Sequence, residues 1–130
     1  MYSKTTNGVT VTVTPYFLDE QSSPQESHYV WAYQVNIMNS SSTTMKLNHR
    51  NWVIIDANGK IINVQGDGVV GEFPTLKPGE SFEYTSGTPL KTTNGIMQGF
   101  YLMSQNNGEQ LKIDIPTFSL DSPYNNKKFH

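Results

Sequence analysis

Tyr29, Trp31, Tyr33, Val35 and Ile37 stand at every second position, with Gln34 and Asn36 between them, and this period constrains the chain more than any other feature. Successive side chains of an extended strand point to opposite faces, so these five residues share one face and must bury it against a second layer. A helix would scatter them around its circumference. The segment is expected to be a central core strand. The same alternation recurs in β-branched residues, where Val9, Val11 and Val13 interleave with Thr10, Thr12 and Thr14. Pro15 then lacks a ladder donor, which places this second segment at an edge or gives it a bulge.

Further strands follow from composition and punctuation. Met45 to Asp56 carries Trp52, Val53, Ile54 and Ile55, a run that suggests burial on both faces. Asn58-Gly59 is a tight-turn pair, so Lys60 to Gln65 should fold back antiparallel on Val53 to Asp56. Ser81 to Ser86 reads as a short strand followed by a loop containing Gly87, Pro89 and Gly95. Ile96 to Gln105 and the stretch through Leu111, Ile113 and Ile115 are joined at Asn106-Asn107-Gly108, with Phe118 and Leu120 continuing past Pro116. Apolar residues nowhere keep a helical spacing for three turns. About seven strands predict an all-β, immunoglobulin or fibronectin III-like antiparallel sandwich, with a small closed barrel as the competing architecture. The expected sandwich domain covers residues 9–123, with a flexible N-terminus at 1–8 and a flexible tail at 124–130.

At 130 residues the chain fits one domain. Its net charge is −2 and its one arginine is Arg50, so no basic stripe is available for a nucleic-acid tract. The absence of cysteine removes disulfides, thiol catalysis and thiolate metal sites. Residues 1–8 lack the apolar core of a secretory signal and no stretch approaches a membrane span, which predicts a cytoplasmic protein.

One loop stands out. Gly66-Asp67-Gly68-Val69-Val70-Gly71 matches the spacing of a dinucleotide fingerprint, but Glu72-Phe73-Pro74 cannot open the long helix on which that site depends. A weaker anion site is open to it, because successive N–H groups of a glycine-rich turn can form a cationic nest. Asp67 and Glu72 would repel an anion there unless Arg50, Lys60 or Lys91 folds in beside them. The candidate anion-binding residues are therefore Gly66, Gly68, Gly71 and Arg50. The plainer alternative is that the glycines only let the loop cross the end of the sandwich closely.

Other constellations carry less. His28, His49 and His130 lack metal-cluster spacing, and Asp67 with Glu72 falls short of a calcium loop, so no metal or cofactor is expected. Ser86-Gly87 has neither a histidine near it in sequence nor a nucleophile elbow, so no catalytic set is expected either. Arg50 and Trp52 share a strand face, which allows either a structural stack or a guanidinium presented to a carboxylate or phosphate. Tyr29, Trp31 and Tyr33 read as sheet core before they read as a platform for bases.

The motifs Tyr29-Val-Trp-Ala-Tyr33-Gln-Val-Asn-Ile-Met-Asn39, Arg50-Asn-Trp52-Val-Ile-Ile-Asp56-Ala-Asn-Gly59 and Val64-Gln-Gly66-Asp-Gly68-Val-Val-Gly71 occur in that order. They continue with Pro74-Thr-Leu76-Lys-Pro78-Gly79-Glu80, Phe82-Glu-Tyr84-Thr-Ser86-Gly87, Gly95-Ile-Met97-Gln-Gly99-Phe-Tyr101 and Ile115-Pro116-Thr-Phe118. Over about Val9 to Pro123 the chain closely resembles the bacterial ApaG family, departing from its pattern at Asn63, Phe73 and Thr93. The resemblance implies a fibronectin III-like sandwich and a link to cobalt resistance and magnesium efflux, without established catalytic residues. It also implies a role in protein contacts, since related domains occur in eukaryotic F-box proteins and in a DNA-polymerase-interacting protein. A pyrophosphate site has been discussed for the family's glycine loop, here Gly66, Gly68 and Gly71. The expectation is a non-enzymatic module with an unknown protein partner. A protein binding pyrophosphate or dinucleoside polyphosphates is the alternative, and an unpaired sandwich edge leaves a homodimer open.

Overall fold

The computed structural model describes residues 1–124, and the predicted tail beyond Tyr124 lies outside the described residues. Among the described residues nine strands run in chain order: β1 Tyr2–Thr6, β2 Val9–Phe17, β3 Tyr29–Asn39, β4 Met45–Asp56, β5 Ile61–Asp67, β6 Thr75–Leu76, β7 Ser81–Leu90, β8 Gly95–Gln105 and β9 Gln110–Leu120. Two antiparallel sheets result, one ordered β1-β2-β3-β7 and the other β5-β4-β8-β9, with β6 paired to β4. They pack face to face as an immunoglobulin or fibronectin III-like sandwich.

The strand of alternating aromatics sits where its pattern requires. Tyr29, Trp31, Tyr33, Val35 and Ile37 of β3 are buried while the intervening residues are partly exposed, and β3 lies between β2 and β7. The core continues across the sandwich through Trp52, Tyr101 and Phe118. Trp52 has ring centroids 5.3 Å from Tyr33 and 6.0 Å from Phe118. The indole N–H of Trp31 donates to the Asp121 carbonyl at 2.8 Å, which satisfies its one polar atom inside the apolar layer.

Two strands exceed the expectation from sequence. Residues 1–8 were expected to lie outside the sandwich, yet Tyr2–Thr6 forms β1, in register from Tyr2↔Val13 to Thr6↔Val9. The reason is local: Asn7 and Gly8 take φ of 50° and 81°, the two-residue hairpin turn that an Asn-Gly pair favours. Hydroxyl pairs Thr5–Thr10 at 2.7 Å and Ser3–Thr12 at 3.1 Å reinforce it across the strands. β6 is a two-residue pairing too short to carry a hydrophobic pattern.

Prolines and bulges shape the rest. Pro15 pairs with Tyr33 on β3, but β1 reaches only as far as Val13, so the missing donor faces an uncovered edge. β7 runs on through Gly87 and Pro89 to Leu90, four residues past the expected end, because it is the outer strand of its sheet and tolerates proline there. In β4 a bulge between Leu47 and His49 shifts the phase. Met45 and Leu47 point inward before it, Trp52 and Ile54 after it, while Val53 and Ile55 are only half-buried. Burial on both faces of β4 was therefore overstated. Among the described residues no helix is long and apolar enough to cross a membrane.

The two flanks of the sandwich differ. On one, β1 and β9 meet: Lys4 Nζ lies 3.2 Å from Asp114 Oδ2, the Asp114 N–H donates to Thr6 Oγ1 at 3.3 Å, and the rings of Tyr2 and Phe118 are 5.9 Å apart. On the other, the outer strands β5 and β7 leave a cleft between the sheets.

Candidate functional site

That cleft has a volume of about 300 Å³. Tyr33 of β3 with Tyr84, Ser86 and Thr88 of β7 form one wall, and Arg50, Trp52 and Ile54 of β4 form the other. Val64 of β5 and Val69 and Val70 of the glycine loop close its rim. The phase shift in β4 matters here, because it turns Arg50 onto the same inward face as Trp52 and Ile54.

Arg50 and the glycine loop are one unit. Arg50 Nη1 donates to the carbonyls of Asp67 at 3.1 Å and Gly68 at 2.9 Å. Gly66 is its register partner, and a Cβ there would fall 2.7 Å from Nη2, so that glycine exists to admit the guanidinium. A Cβ on Gly68 would lie 2.1 Å from the Glu72 carbonyl oxygen, and φ there is +62°. Gly71 serves a third purpose: with Val70 it forms a two-residue turn between Val69 and Glu72, both central residues having positive φ, 44° for Val70 and 80° for Gly71. A β-branched residue in that region is strained by about 1–3 kcal/mol. Val70 is nevertheless 54% exposed at the rim of the cleft.

The loop's own bonds take up several of its donors. The Gly68 N–H donates to the Asn48 carbonyl at 2.9 Å, the Val69 N–H to Glu72 at 2.9 Å, and the Glu72 N–H to Val69 at 2.8 Å. Of the basic residues considered beside the loop, only Arg50 folds in. Lys60 and Lys91 line a separate hollow with His28, Ile62 and Leu90. Asp67 turns to the outer face, where its carboxylate meets His49 Nδ1 at 3.4 Å. Among the described residues, no carboxylate comes within 4.0 Å of Arg50, and its Nη2 makes no hydrogen bond.

Tyrosine hydroxyls surround that charge. Burial pushes the Tyr33 phenol above its ordinary value, opposed by the Ser86 hydroxyl and by the charge of Arg50. Burial raises Tyr84 further, against the bond between its hydroxyl and that of Tyr101. The fully buried Tyr101 phenol is likewise pushed up, first by burial and then by Tyr84. These groups stay protonated at neutral pH, so the cleft presents neutral O–H groups and one fixed positive charge.

The remaining sequence candidates are dispersed. Trp52 packs on Tyr33, Tyr101 and Phe118, whereas the Arg50 guanidinium lies on Gly66, so the anticipated stack between them is replaced. Among the described residues, the cation–π contacts are Lys46 over Phe73 and Lys112 over Phe100. Tyr29 and Trp31 are core, and of that trio only Tyr33 reaches the cleft. Ser86 lines the cleft without a histidine there, and His130 lies outside the described residues. No group of three His, Cys, Asp or Glu that could hold a metal ion occurs among the described residues. Sequence patterning marks only half of the Tyr84–Tyr101 pair. Its signal was the inward parity of Tyr84 with Ser86 and Thr88.

Fold and cleft together define a class: a small immunoglobulin or fibronectin III-like sandwich, one flank closed strand to strand and the other opened around an arginine-clamped glycine loop. A family model described as the ApaG domain matches residues 19–105. Protein ApaG of Paramagnetospirillum magneticum is 56% identical over 124 residues, and that of Brucella anthropi 52% identical over 123, each match covering 95% of both chains. The chain belongs to the ApaG family. A crystal structure of the ApaA protein from Bordetella pertussis superposes with a TM-score of 0.86 at 44% identity, covering 88% of this chain and 94% of that one. A part of Bacteroides uniformis beta-glucuronidase, 14% identical with a TM-score of 0.51 over 84% of this chain and 12% of that one, shares the fold alone.

Proposed function

We propose that this domain is a non-catalytic protein-interaction module that receives a partner's chain at the cleft between β5 and β7. The observation that carries the reading is Val70: a strained, β-branched residue held 54% exposed at the rim of a concave site. Strain of this kind persists only where the surroundings impose it, and it concentrates at binding sites. Val64, 39% exposed on the unpaired edge of β5, extends the apolar rim. Among the described residues no histidine or carboxylate lines the cleft beside Ser86, which supports binding rather than turnover. The family's link to cobalt and magnesium handling then runs through the partner, in the cytoplasm, rather than through a metal bound by this chain.

A photo-crosslinking residue at position 70, compared with one at Thr12 on the outer face of β2, tests the reading in native lysate. A discrete adduct from position 70 and none from position 12 is expected. Equal labelling from both, or none from position 70, would overturn it.

A further inference from the structure

From the charge of Arg50 we infer what the partner must bring: one carboxylate side chain, flanked by apolar residues on an extended segment, entering the cleft to meet the guanidinium. The inference rests on the module reading above and adds the chemistry of its ligand.

Arg50 is half-buried and faces Tyr33, Tyr84 and apolar walls, yet among the described residues no carboxylate answers it within 4.0 Å. The guanidinium bonds two main-chain carbonyls through Nη1, and among the described residues Nη2 meets no protein acceptor, which leaves it open toward the cleft. In a cleft walled by Ile54, Val64 and Val69, a carboxylate gains more from that charge than it would in water. The Nη1 bonds already made to the loop hold the fork in place, so little side-chain freedom remains to be lost on binding. Tyrosine and arginine in a concave, partly desolvated site are the residue types that dominate interface energies.

The competing anion is a phosphate. It is disfavoured because its larger charge and hydration shell suit apolar walls poorly. A carboxylate carried on a methylene stem matches a site that is polar at one end and aliphatic along its sides.

A library of displayed nonapeptides, selected on the intact chain and counter-selected on Val70→Asp, is the direct test. Enriched sequences are expected to share one Asp or Glu beside an apolar residue. The best peptide and its acid-to-amide version are then titrated by calorimetry on wild type, Arg50→Gln and Arg50→Lys. On wild type the amide version should bind about tenfold more weakly or worse, while on Arg50→Gln the two peptides should differ by less than about twofold. Arg50→Lys keeps the positive charge without the planar fork, so it should keep part of the acid preference that Arg50→Gln loses, which separates loss of charge from disturbance of the loop. Cleft-dependent peptides without a carboxylate, or an equal acid preference on wild type and a folded Arg50→Gln, overturn the inference and leave the module reading standing. If nothing is enriched that Val70→Asp blocks, or if sedimentation shows only self-association through the cleft, both readings fall. Inorganic pyrophosphate binding with loss on Arg50→Gln, in the absence of acidic peptides, also overturns the carboxylate assignment.

Discussion

The two flanks of this sandwich meet the same demand, closing two sheets that each end in an outer strand, by opposite means. Where β1 and β9 meet, short hydroxyl and charged side chains bridge the strands and Tyr2 packs on Phe118, so the inner faces are sealed. Where β5 and β7 diverge, one arginine of β4 holds the glycine loop that follows β5 by its carbonyls, nothing bridges to β7 among the described residues, and the inner face stays reachable. The lesson is that an exposed edge need not be a defect to be covered: one flank is finished for stability, and the other is held open at a cost in backbone strain.

The contrast is broken most severely from the sealed side. Phe118→Ala removes a ring that is 1% exposed and contacts Tyr2, Tyr33 and Trp52, and it should destabilise the fold by about 3–5 kcal/mol in urea denaturation. A loss below about 1 kcal/mol would mean the sealed flank is not where stability resides.

Alkaline pH tests the floor of the open side. The folded chain holds the Tyr84 and Tyr101 phenols above their ordinary value, so their contribution is complete below about pH 10 and shrinks as pH rises further, since the unfolded chain releases protons that the folded one keeps. Stability should fall by up to about 1.4 kcal/mol per pH unit for each phenol above that point, and Tyr101→Phe should flatten the fall. Urea midpoints at pH 8 and pH 11 measure it.

On the rim, Val70→Gly relieves the positive φ while giving up little packing, and should stabilise the protein by about 1 kcal/mol by thermal denaturation. Crosslinking through position 64 should weaken in the same variant. A destabilised Val70→Gly would remove the strain on which the proposed function rests. Smallest of all, Lys4→Ala breaks an ion pair whose side chains are 54% and 36% exposed, and should change stability by less than about 1 kcal/mol. The sealed flank depends on apolar contact, with the charges as trim.

Much of the fold was legible because its signals are local. The alternation in β3 set its inner face, and Asn58-Gly59 and Asn106-Asn107-Gly108 placed their hairpins, with Gly59 and Gly108 at φ of 84° and 85°. Asn7-Gly8 carried the same signal, and its polar surroundings hid it, since β1 is written in Ser, Lys and Thr and leaves only Tyr2 partly buried among its larger residues. The site was harder to read because its logic is long-range. Nothing near Gly66 says that its missing side chain makes room for an arginine sixteen positions earlier, or that Gly68 is needed by the carbonyl of Glu72. The bulge in β4, which decides that Arg50 faces inward, depends on pairing with β8. Glycine spacing by itself does not separate phosphate chemistry from packing, because close approach of any kind, to a ligand or to the chain itself, calls for the same residue.

The contact between β1 and β9 joins Lys4 to Asp114 and Thr6 to the same residue. During synthesis the outer edge of the first hairpin therefore finds no neighbour until Asp114, 108 residues beyond Thr6, has left the ribosome. Until then the valine-rich face of β2 has no β9 laid across it, so this flank is the last to be sealed as the chain emerges.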